Sequence, residues 1–506
     1  MSGTMQRWIG FIAMCVGMFM AILDIQVVAT ALPRLGGALN LREDDLSWVQ
    51  TAYLIPEIIA IPLTGVLTRT LGLRWLFAAS TLLFVLASLG CALSGNFTAL
   101  IVFRVLQGFS GGALIPAVFT SVFSIFPRAL HPAATIVAGS FAMIAPSLGP
   151  ALGGWLTETY SWHAIFLINI APGLLVCAVV ATLVPCGRAD LRELRRIDYF
   201  SVAFASVFLT CLMLLLKDAP KQSWGGLEVW LLEGTCVLTF WAAVQQCLGR
   251  KQPFLHLRKF GDHAFATGAV LSFITGLGLY GATYLLPVFL GYVRHHDPLE
   301  IGKIVIVAGL AQLIATPIAA VLELRVAAKW IGLLGFALFG AGFFANGFMT
   351  PQSDFAELFW PQVLRGAAVM LCILPATRYA LDNWDESELS DASALFNLLR
   401  NMGGAVGIAL VDTVLQQRTP IHVQEIVTRL QAGDRAMAEF VGLPLNRFNG
   451  QPLGPIDELT KSLIQPMVER AAITQSFNEA WFLIGAVFAA SLLVFLWAPR
   501  NAPRQR

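Results

Sequence analysis

Fourteen long stretches almost without charge dominate this chain, and they constrain its fold more than any other feature. A helix needs about 20 apolar residues, within a range of roughly 17 to 25, to cross about 30 Å of hydrocarbon. Backbone groups in lipid must be hydrogen-bonded within the segment, so each stretch is predicted to be a transmembrane helix. The predicted spans are residues 9–33, 46–66, 75–97, 98–126, 132–156, 163–185, 199–216, 229–248, 264–293, 304–322, 330–350, 358–381, 392–414 and 480–497.

The composition agrees with a chain that spends most of its length in lipid. Of its 506 residues, 57% are hydrophobic and only 13% are charged, against about 25% charged in soluble proteins. A net charge of +2 gives no basic field of the kind that attracts nucleic acid, so nucleic-acid binding is excluded as the main role. The eight cysteines form no CxxC pair and no metal-ligand spacing, which predicts buried apolar side chains and neither disulfides nor a metal site.

The distribution of Lys and Arg predicts the orientation. An even number of spans places both termini on one side, and most basic residues of the short connections lie on that side. The first span exceeds the apolar core of a cleaved signal peptide, so it is expected to remain as a helix. Basic loops stay in the cytoplasm, so we expect a multi-pass membrane protein with both termini cytoplasmic. The alternate short connections carry Arg34, Arg42, Lys217, Lys221 and Arg294.

One connection, at about residues 415–479, is too long for a simple turn. It contains two helical faces of apolar residues. Two interpretations fit: amphipathic helices that lie on the membrane surface or cap the protein, or a docking surface for a periplasmic partner. The faces consist of Val423, Ile426, Val427 and Leu430, and of Ile456, Leu459, Leu463, Ile464 and Met467.

The two ends of the chain carry an internal repeat. Ile61-Pro62-Leu63-Thr64-Gly65-Val66-Leu67 in the second span matches Thr316-Pro317-Ile318-Ala319-Ala320-Val321-Leu322 in the tenth. Arg104-Val105-Leu106-Gln107-Gly108 in the fourth is echoed by Val363-Leu364-Arg365-Gly366 in the twelfth. Both pairs are eight spans apart, which predicts two parallel bundles with a site between them. The predicted domains are a six-helix bundle at 1–197, an inserted helix pair and linker at 198–262, and a second six-helix bundle at 263–506.

Six of the predicted spans carry residues that match a known family. In them the chain resembles the major facilitator superfamily, and within it the fourteen-span drug:proton antiporters typified by EmrB and QacA. The matching residues are Leu23-Asp24 and Ala31-Leu32-Pro33 in the first span; Ser47-Trp48-Val49, Thr51-Ala52-Tyr53-Leu54 and Pro62-Leu63-Thr64-Gly65 in the second; Arg104, Gln107, Gly108, Gly111 and Gly112 in the fourth; Ala145-Pro146, Gly149-Pro150 and Gly153-Gly154 in the fifth; Ile165-Phe166-Leu167-Ile168-Asn169 and Pro172 in the sixth; and Asn397, Arg400, Gly403, Gly404 and Gly407 in the thirteenth.

This resemblance implies an all-α polytopic fold, two six-helix bundles plus an inserted helix pair, and multidrug efflux of the EmrB type driven by protons. It implies a location in the bacterial cytoplasmic (inner) membrane and small-molecule substrates. Besides the lipid bilayer, the candidate partners are a periplasmic membrane-fusion adaptor and an outer-membrane channel. The chain departs from the pattern at Ile25-Gln26, where a Thr-Ile pair is usual, and at Arg69, where an Asp is usual. The second departure lies in the loop after the second span, and it removes an acidic residue from the charge relay that the family carries there.

Two carboxyl groups within the spans are candidates for proton coupling. Asp24 lies deep in the first span, and Glu57 follows Pro56 in the second. A charged carboxylate costs about 2.5 to 3.5 kcal/mol at the centre of a membrane on insertion scales, so both are expected to face a polar cavity or a partner. Burial favours the protonated form, which suits reversible proton binding. Arg104 of the fourth span completes the predicted coupling site as a structural residue or one that tunes the pKa of the carboxyl groups, because a guanidinium does not deprotonate. The alternative is that one or both carboxylates only pair with Arg104, and a substrate-cation contact is a third possibility for Glu57.

Further residues are predicted to line a substrate path or to bend a helix. Arg365 and Arg400 have no deep acid on facing spans, which suits an anionic or zwitterionic substrate; the alternative is pairing with backbone carbonyls or with acids of the nearby loop such as Asp382. The glycine-rich motif of the fifth span allows bending or close packing. The path residues are Gln50, Tyr53, Gln107, Tyr280, Tyr284, Gln312, Gln362, Arg365, Asn397 and Arg400, and the hinge residues are Pro146, Gly149, Pro150, Gly153 and Gly154.

The leading prediction is therefore a proton-coupled exporter of small amphipathic compounds, with protons as coupling ion, no cofactor and no catalytic residue. The alternative in the same fold is a dedicated exporter of one metabolite, such as a siderophore or aromatic acid. The sequence contains no HExxH, GxSxG or GxxxxGK[ST] motif, which disfavours an intramembrane enzyme and an ATP-driven pump.

Overall fold

The computed structural model describes residues 3–39, 43–185, 198–222, 224–249, 257–382, 384, 386–448, 450, 453 and 458–498. Its regular elements are helices throughout these ranges. The first half contains α1 (Gly3–Leu39), α2 (Glu43–Leu71), α3 (Leu73–Ala92), α4 (Phe97–Ile125), α5 (His131–Thr159), α6 (Ala164–Leu167) and α7 (Ile170–Leu183). Next come α8 (Tyr199–Asp218) and α9 (Leu227–Gly249). The second half contains α10 (His263–Tyr292), α11 (Pro298–Arg325), α12 (Ala328–Asn346), α13 (Phe355–Leu381), α14 (Glu386–Gln431), α15 (Arg435–Val441), α16 (Glu458–Ser491) and α17 (Val494–Trp497).

The described residues contain 13 helical segments long and apolar enough to cross a membrane, with α6 and α7 together forming one of them. The remaining predicted span is α5, whose 29 residues give a length of about 44 Å at 1.5 Å per residue. An apolar stretch within it covers Ala133–Ala142. The helices thus agree with fourteen spans in an all-α membrane protein.

One end of the molecule carries the start of α1 and the end of α17, and we call it the terminal side. Gln6 donates to the carbonyl of Leu183 at the end of α7, and Phe495 of α17 packs on Gly332 near the start of α12. We call the opposite end the distal side. Arg74, just after the start of α3, donates to the carbonyl of Val184, so the described loop between α2 and α3 lies on the terminal side.

The same close helix contact recurs in both halves. Gly108 of α4 lies against the backbone carbonyl of Tyr53 in α2, and a Cβ atom at Gly108 would overlap it. Gly366 of α13 lies in the same way against the carbonyl of Ala308 in α11. Small residues permit such backbone approach in membrane helices. The glycines of the repeated sequence therefore set the spacing of corresponding helix pairs.

The long connection predicted at about residues 415–479 is largely a helical hairpin on the distal side. Helix α14 continues as far as Gln431, and α16 already begins at Glu458. Ile426 and Leu430 of the first face and Met467 of the second pack in one cluster with α15, so protein covers this part of the two faces. Of the residues predicted for these faces, Leu463 is exposed and Ile456 lies outside the described residues.

Candidate functional site

A buried polar cluster surrounds Asp24 in the first half. The Asp24 carboxylate accepts hydrogen bonds from Arg104 at 2.5 Å, from Gln107 at 2.9 Å and from Asn169 at 2.9 Å. Ser88 of α3 accepts further bonds from Gln107 and Asn169. These side chains are almost completely inaccessible to solvent. The pairing with Arg104 is the arrangement that the sequence left as the alternative to a free coupling carboxylate.

Helix α2 closes this cluster. The Arg104 Nε donates to the carbonyl of Val49 at 3.0 Å, and its guanidinium lies 4.5 Å from the centre of the Tyr53 ring. The Tyr53 hydroxyl donates to the carbonyl of Ala21 in α1 at 3.0 Å. A guanidinium that is desolvated in this way is stabilised by both its carboxylate and the aromatic face. Arg104 therefore joins α1, α2 and α4.

Glu57 lies one turn beyond Tyr53 on α2 and is buried without a hydrogen bond or ion pair to any described residue. Its backbone contacts Gly112 of α4 closely. Its charge would interact with Asp24 and Arg104 and, across the boundary between the halves, with Tyr280. Glu57 is thus a buried carboxyl group between the Asp24 cluster and the second half.

Another group of polar residues lies on α10 and α14 of the second half. Arg400 donates to the amide oxygen of Asn397, and its guanidinium lies 5.1 Å from the centre of the Phe119 ring of α4. The Tyr280 hydroxyl donates to Asn401 at 3.1 Å. The contact between Arg400 and Phe119 crosses from one half to the other. These predicted path residues therefore lie where the bundles meet.

The remaining predicted path residues fall into two groups. Gln312, Gln362 and Arg365 line one cavity of the second half. Tyr284 donates to Asp412 at 2.8 Å, and Gln50 is half-buried on α2. The ten predicted path residues are consequently distributed over several places.

Arg365 is buried without an acid. Its guanidinium lies 4.7 Å from the centre of the Trp481 ring of α16 and donates to Gln362 at 3.4 Å. Gln362 itself donates to the carbonyl of Ile304 at 2.7 Å. The alternative partner Asp382 accepts from Arg378 instead. Among the described residues no carboxylate forms an ion pair with Arg365 or with Arg400.

The predicted hinge motif lies within the single helix α5. Gly149 contacts Gln26 of α1 so closely that a Cβ atom would overlap its side chain. Gly153 and Gly154 are buried further along the helix, and Pro146 and Pro150 lie within it. The motif permits close packing of α5 on α1, and the hinge role stays a prediction.

Contacts on the terminal side connect the two halves. Arg69 at the end of α2 forms an ion pair with Asp391 at the start of α14. Arg69 is the residue that replaces the usual Asp, and the second half supplies the acid. Beyond α13, burial raises the pKa of the Asp382 carboxyl above its usual range, while the charges of Arg378, His131 and Arg128 partly offset this effect. His131 and Arg128 belong to the first half, so charges meet across this boundary also.

Known proteins resemble this chain in sequence over most of its length. Residues 14–408 match the sequence profile described as Major Facilitator Superfamily. The chain belongs to the Major Facilitator Superfamily. It is 33% identical to the colistin resistance protein EmrB of Acinetobacter baumannii, over 98% of this chain and 96% of that relative. It is 27% identical to the multidrug export protein EmrB of Escherichia coli, over 96% of this chain and 94% of the relative.

Solved structures of facilitator transporters share the fold. A proton:xylose symporter with bound 6-bromo-6-deoxy-D-glucose matches with a TM-score of 0.59 and 13% identity, over 98% of this chain and 97% of that one. The human organic anion transporter MFSD10 matches with a TM-score of 0.60 and 13% identity, over 97% and 99% of the two chains. The predicted family and fold are confirmed. This protein is a multi-pass membrane transporter.

Sequence reasoning did not predict the roles of three side chains in this structure, although Asn169 was named among the residues that match the family. Ser88 and Asn169 complete the hydrogen bonds around Asp24, and Trp481 covers Arg365. The signal for the first pair was a polar side chain inside an apolar stretch. A tryptophan in such a stretch gives no comparable signal, because it packs equally well against lipid or protein.

Proposed function

We propose that this protein is a proton-driven exporter of small amphipathic compounds. Relatives of similar length are named for multidrug export and for resistance, which supports export as the direction of transport. The distribution of Lys and Arg supports an inner-membrane location with the terminal side in the cytoplasm. Protons are the proposed coupling ion, and small amphipathic compounds are the proposed substrates.

The observation that carries the proposal is the pair of buried carboxyl groups beside the boundary between the bundles. Asp24 is held in an ion pair with Arg104, whereas Glu57 has no such partner among the described residues. Buried ionisable groups in membrane helices are costly and mark proton or substrate pathways. Arg104 interacts electrostatically with both carboxyl groups. A proton that binds one of them therefore changes the attraction between Arg104 and the other.

In the proposed cycle, protonation of Asp24 removes the charge that holds Arg104. The guanidinium is then attracted to the unpaired Glu57, and α4 is free to shift against α1. Helix α4 also contacts Arg400 of α14 through Phe119, so this shift reaches the boundary with the second bundle. Proton binding and substrate binding thereby favour different arrangements of the two halves.

The alternative, a dedicated exporter of one metabolite such as a siderophore or aromatic acid, is favoured by Arg365 and Arg400. Neither forms an ion pair with a described acid. A single anionic substrate would supply the opposite charge. The distal hairpin formed by α14, α15 and α16 is the proposed docking surface for a membrane-fusion adaptor that leads to an outer-membrane channel.

The test uses purified protein in proteoliposomes with an imposed proton gradient. Wild type is compared with Asp24→Asn, Glu57→Gln and a control, Glu233→Gln, which removes a carboxylate from α9 in the inserted helix pair. We expect Asp24→Asn to abolish gradient-driven transport and to retain exchange of labelled substrate without a gradient. Glu233→Gln is expected to behave as wild type. Wild-type rates of gradient-driven transport in Asp24→Asn, at equal amounts of protein, would refute the proposed coupling role.

The substrates are identified with a deletion strain that carries an empty vector, the wild-type gene or Asp24→Asn. Wild-type protein is expected to raise resistance to several unrelated amphipathic compounds, and Asp24→Asn is not. Resistance to one compound class alone would select the dedicated exporter.

A further inference from the structure

The second half contains a cavity of about 60 Å³ between α10, α11, α12 and α13. Most of its lining is apolar, and its polar groups are Arg365 and Gln362 of α13, Gln312 of α11 and Thr283 of α10. A volume of roughly 10 to 15 Å³ of this kind holds one water molecule, so the cavity has room for a group of several atoms.

Two hydrogen-bond donors of this lining have no partner among the described residues. They are the Nε of Arg365 and the Nε2 of Gln312, and each side chain is only 4% exposed. A buried donor without a partner costs about 1 to 3 kcal/mol, and more when it is charged. Both residues line the cavity, so it is the place for an acceptor, and the positive charge of Arg365 favours an anion as that acceptor.

The internal repeat indicates which anion this is. Gly108 and Gly366 occupy equivalent places in α4 and α13, so the residues that precede them by four positions, Arg104 and Gln362, are equivalent also. The hydrogen bonds agree, because Arg104 donates to the carbonyl of Val49 and Gln362 to that of Ile304.

The same register pairs Gln107 with Arg365 and, on the second helix of each half, Glu57 with Gln312. In the first half Arg104 and Gln107 both donate to the carboxylate of Asp24. In the second half their counterparts Gln362 and Arg365 both line the cavity. Arg365 therefore lies one helical turn further along α13 than Arg104 does along α4. Among the described residues, no acid of α10 forms an ion pair with Arg365.

We propose that the cavity binds a carboxylate group from outside the chain, at the place that corresponds to the Asp24 carboxylate in the first half. Arg365 provides the charge and Gln312 an amide donor, while Gln362 holds Arg365 through its amide oxygen. The carboxylate belongs either to a small free acid or to the head group of an exported amphipathic compound. Only the second source rests on the proposed export function.

The experiment measures thermal unfolding of the full-length protein in detergent, without a proton gradient. Sodium formate, acetate and decanoate are titrated at constant ionic strength, with sodium chloride as the reference anion. A ligand that binds the folded state raises the Tm, and we expect an increase of about 2 °C at a concentration well above the dissociation constant. An equal increase with all three carboxylates indicates a free-acid site, and a larger increase with decanoate at far lower concentration indicates a head-group site.

Variants locate the site. Arg365→Gln is expected to abolish the increase, and Arg378→Gln, which removes a charge from the same helix outside the cavity, to retain it. Thr283→Asp places a carboxylate in the cavity and is expected to give a folded protein that no longer responds to added carboxylates. No carboxylate-dependent increase in wild type, or the same increase in wild type and in Thr283→Asp, would overturn the proposal. Because no transport is measured, a failure of the proposed proton coupling leaves this result unaffected.

Discussion

Two buried arginines of the two bundles are handled in opposite ways. Arg104 of the first bundle is neutralised by Asp24 and also donates to the Gln107 amide oxygen and to the carbonyl of Val49, while its Nη2 has no partner among the described residues. Arg365 of the second bundle has a comparable burial and lies over Trp481 without an acid among the described residues. The backbone contacts around both are repeated, so the difference lies in side chains. The repeated helices thus have the same backbone arrangement in both bundles. In the first bundle it holds the carboxylate of Asp24, and in the second it surrounds a cavity lined by Arg365.

The largest expected difference between the bundles comes from replacing each arginine by methionine. Arg104→Met leaves the Asp24 carboxylate buried and unpaired, so the free energy of unfolding should fall by about 3 to 5 kcal/mol. Arg365→Met leaves no acid behind and loses mainly the contact with Trp481, so the fall should be less than about 2 kcal/mol. Chemical unfolding in mixed detergent micelles measures both. Equal losses would show that the two arginines are not distinguished by their partners.

The close glycine contacts should respond alike in the two bundles. Gly108→Ala and Gly366→Ala each place a Cβ atom against a neighbouring backbone carbonyl, and each should cost about 1 to 3 kcal/mol of unfolding free energy. The control Gly234→Ala in α9 meets open space and should not lower stability. The same unfolding measurement applies. A large effect in only one bundle would contradict the equivalence of the two contacts.

The ion pair between the bundles is expected to have a smaller effect. Arg69→Asp faces Asp391 with a like charge, and the partly exposed position limits the cost to about 1 kcal/mol. Transport should fall severalfold, because the contact of α2 with α14 on the terminal side is weakened. Arg69→Asp combined with Asp391→Arg should restore it. Arg429→Asp, which gives a like charge to the partly exposed pair with Asp434 in the distal hairpin, serves as the control and should leave transport unchanged.

The smallest effect is expected at an exposed arginine. Arg418 pairs with Glu479 at the base of the distal hairpin, where both side chains contact solvent. Arg418→Gln should lower the free energy of unfolding by about 0.2 to 1 kcal/mol, and high salt should remove the difference. A loss as large as that of Arg104→Met would show that burial is not what makes the Asp24 pair important.

Much of the fold could be predicted from residue patterns, because a helix in lipid is specified by its own length and apolarity. The span positions, the repeat and the family follow from such local patterns. The distal hairpin could not be predicted as it is, because Ile426 and Val468 are far apart in sequence and an amphipathic face does not name what covers it. The same reason explains why Asp24 could be chosen from the sequence while Ser88 and Asn169 could not be predicted as its neighbours.

The sequence by itself determined that this chain crosses the membrane many times, which family it belongs to, and which few charges lie within the spans. Only the tertiary structure decided how those charges are paired. It placed Asp24 with Arg104, joined Arg69 to Asp391 across the bundles, and gathered Gln312, Gln362 and Arg365 around one cavity. The physical reason is that the cost of burying a charge is set locally, whereas its compensation depends on side chains that folding brings from distant helices.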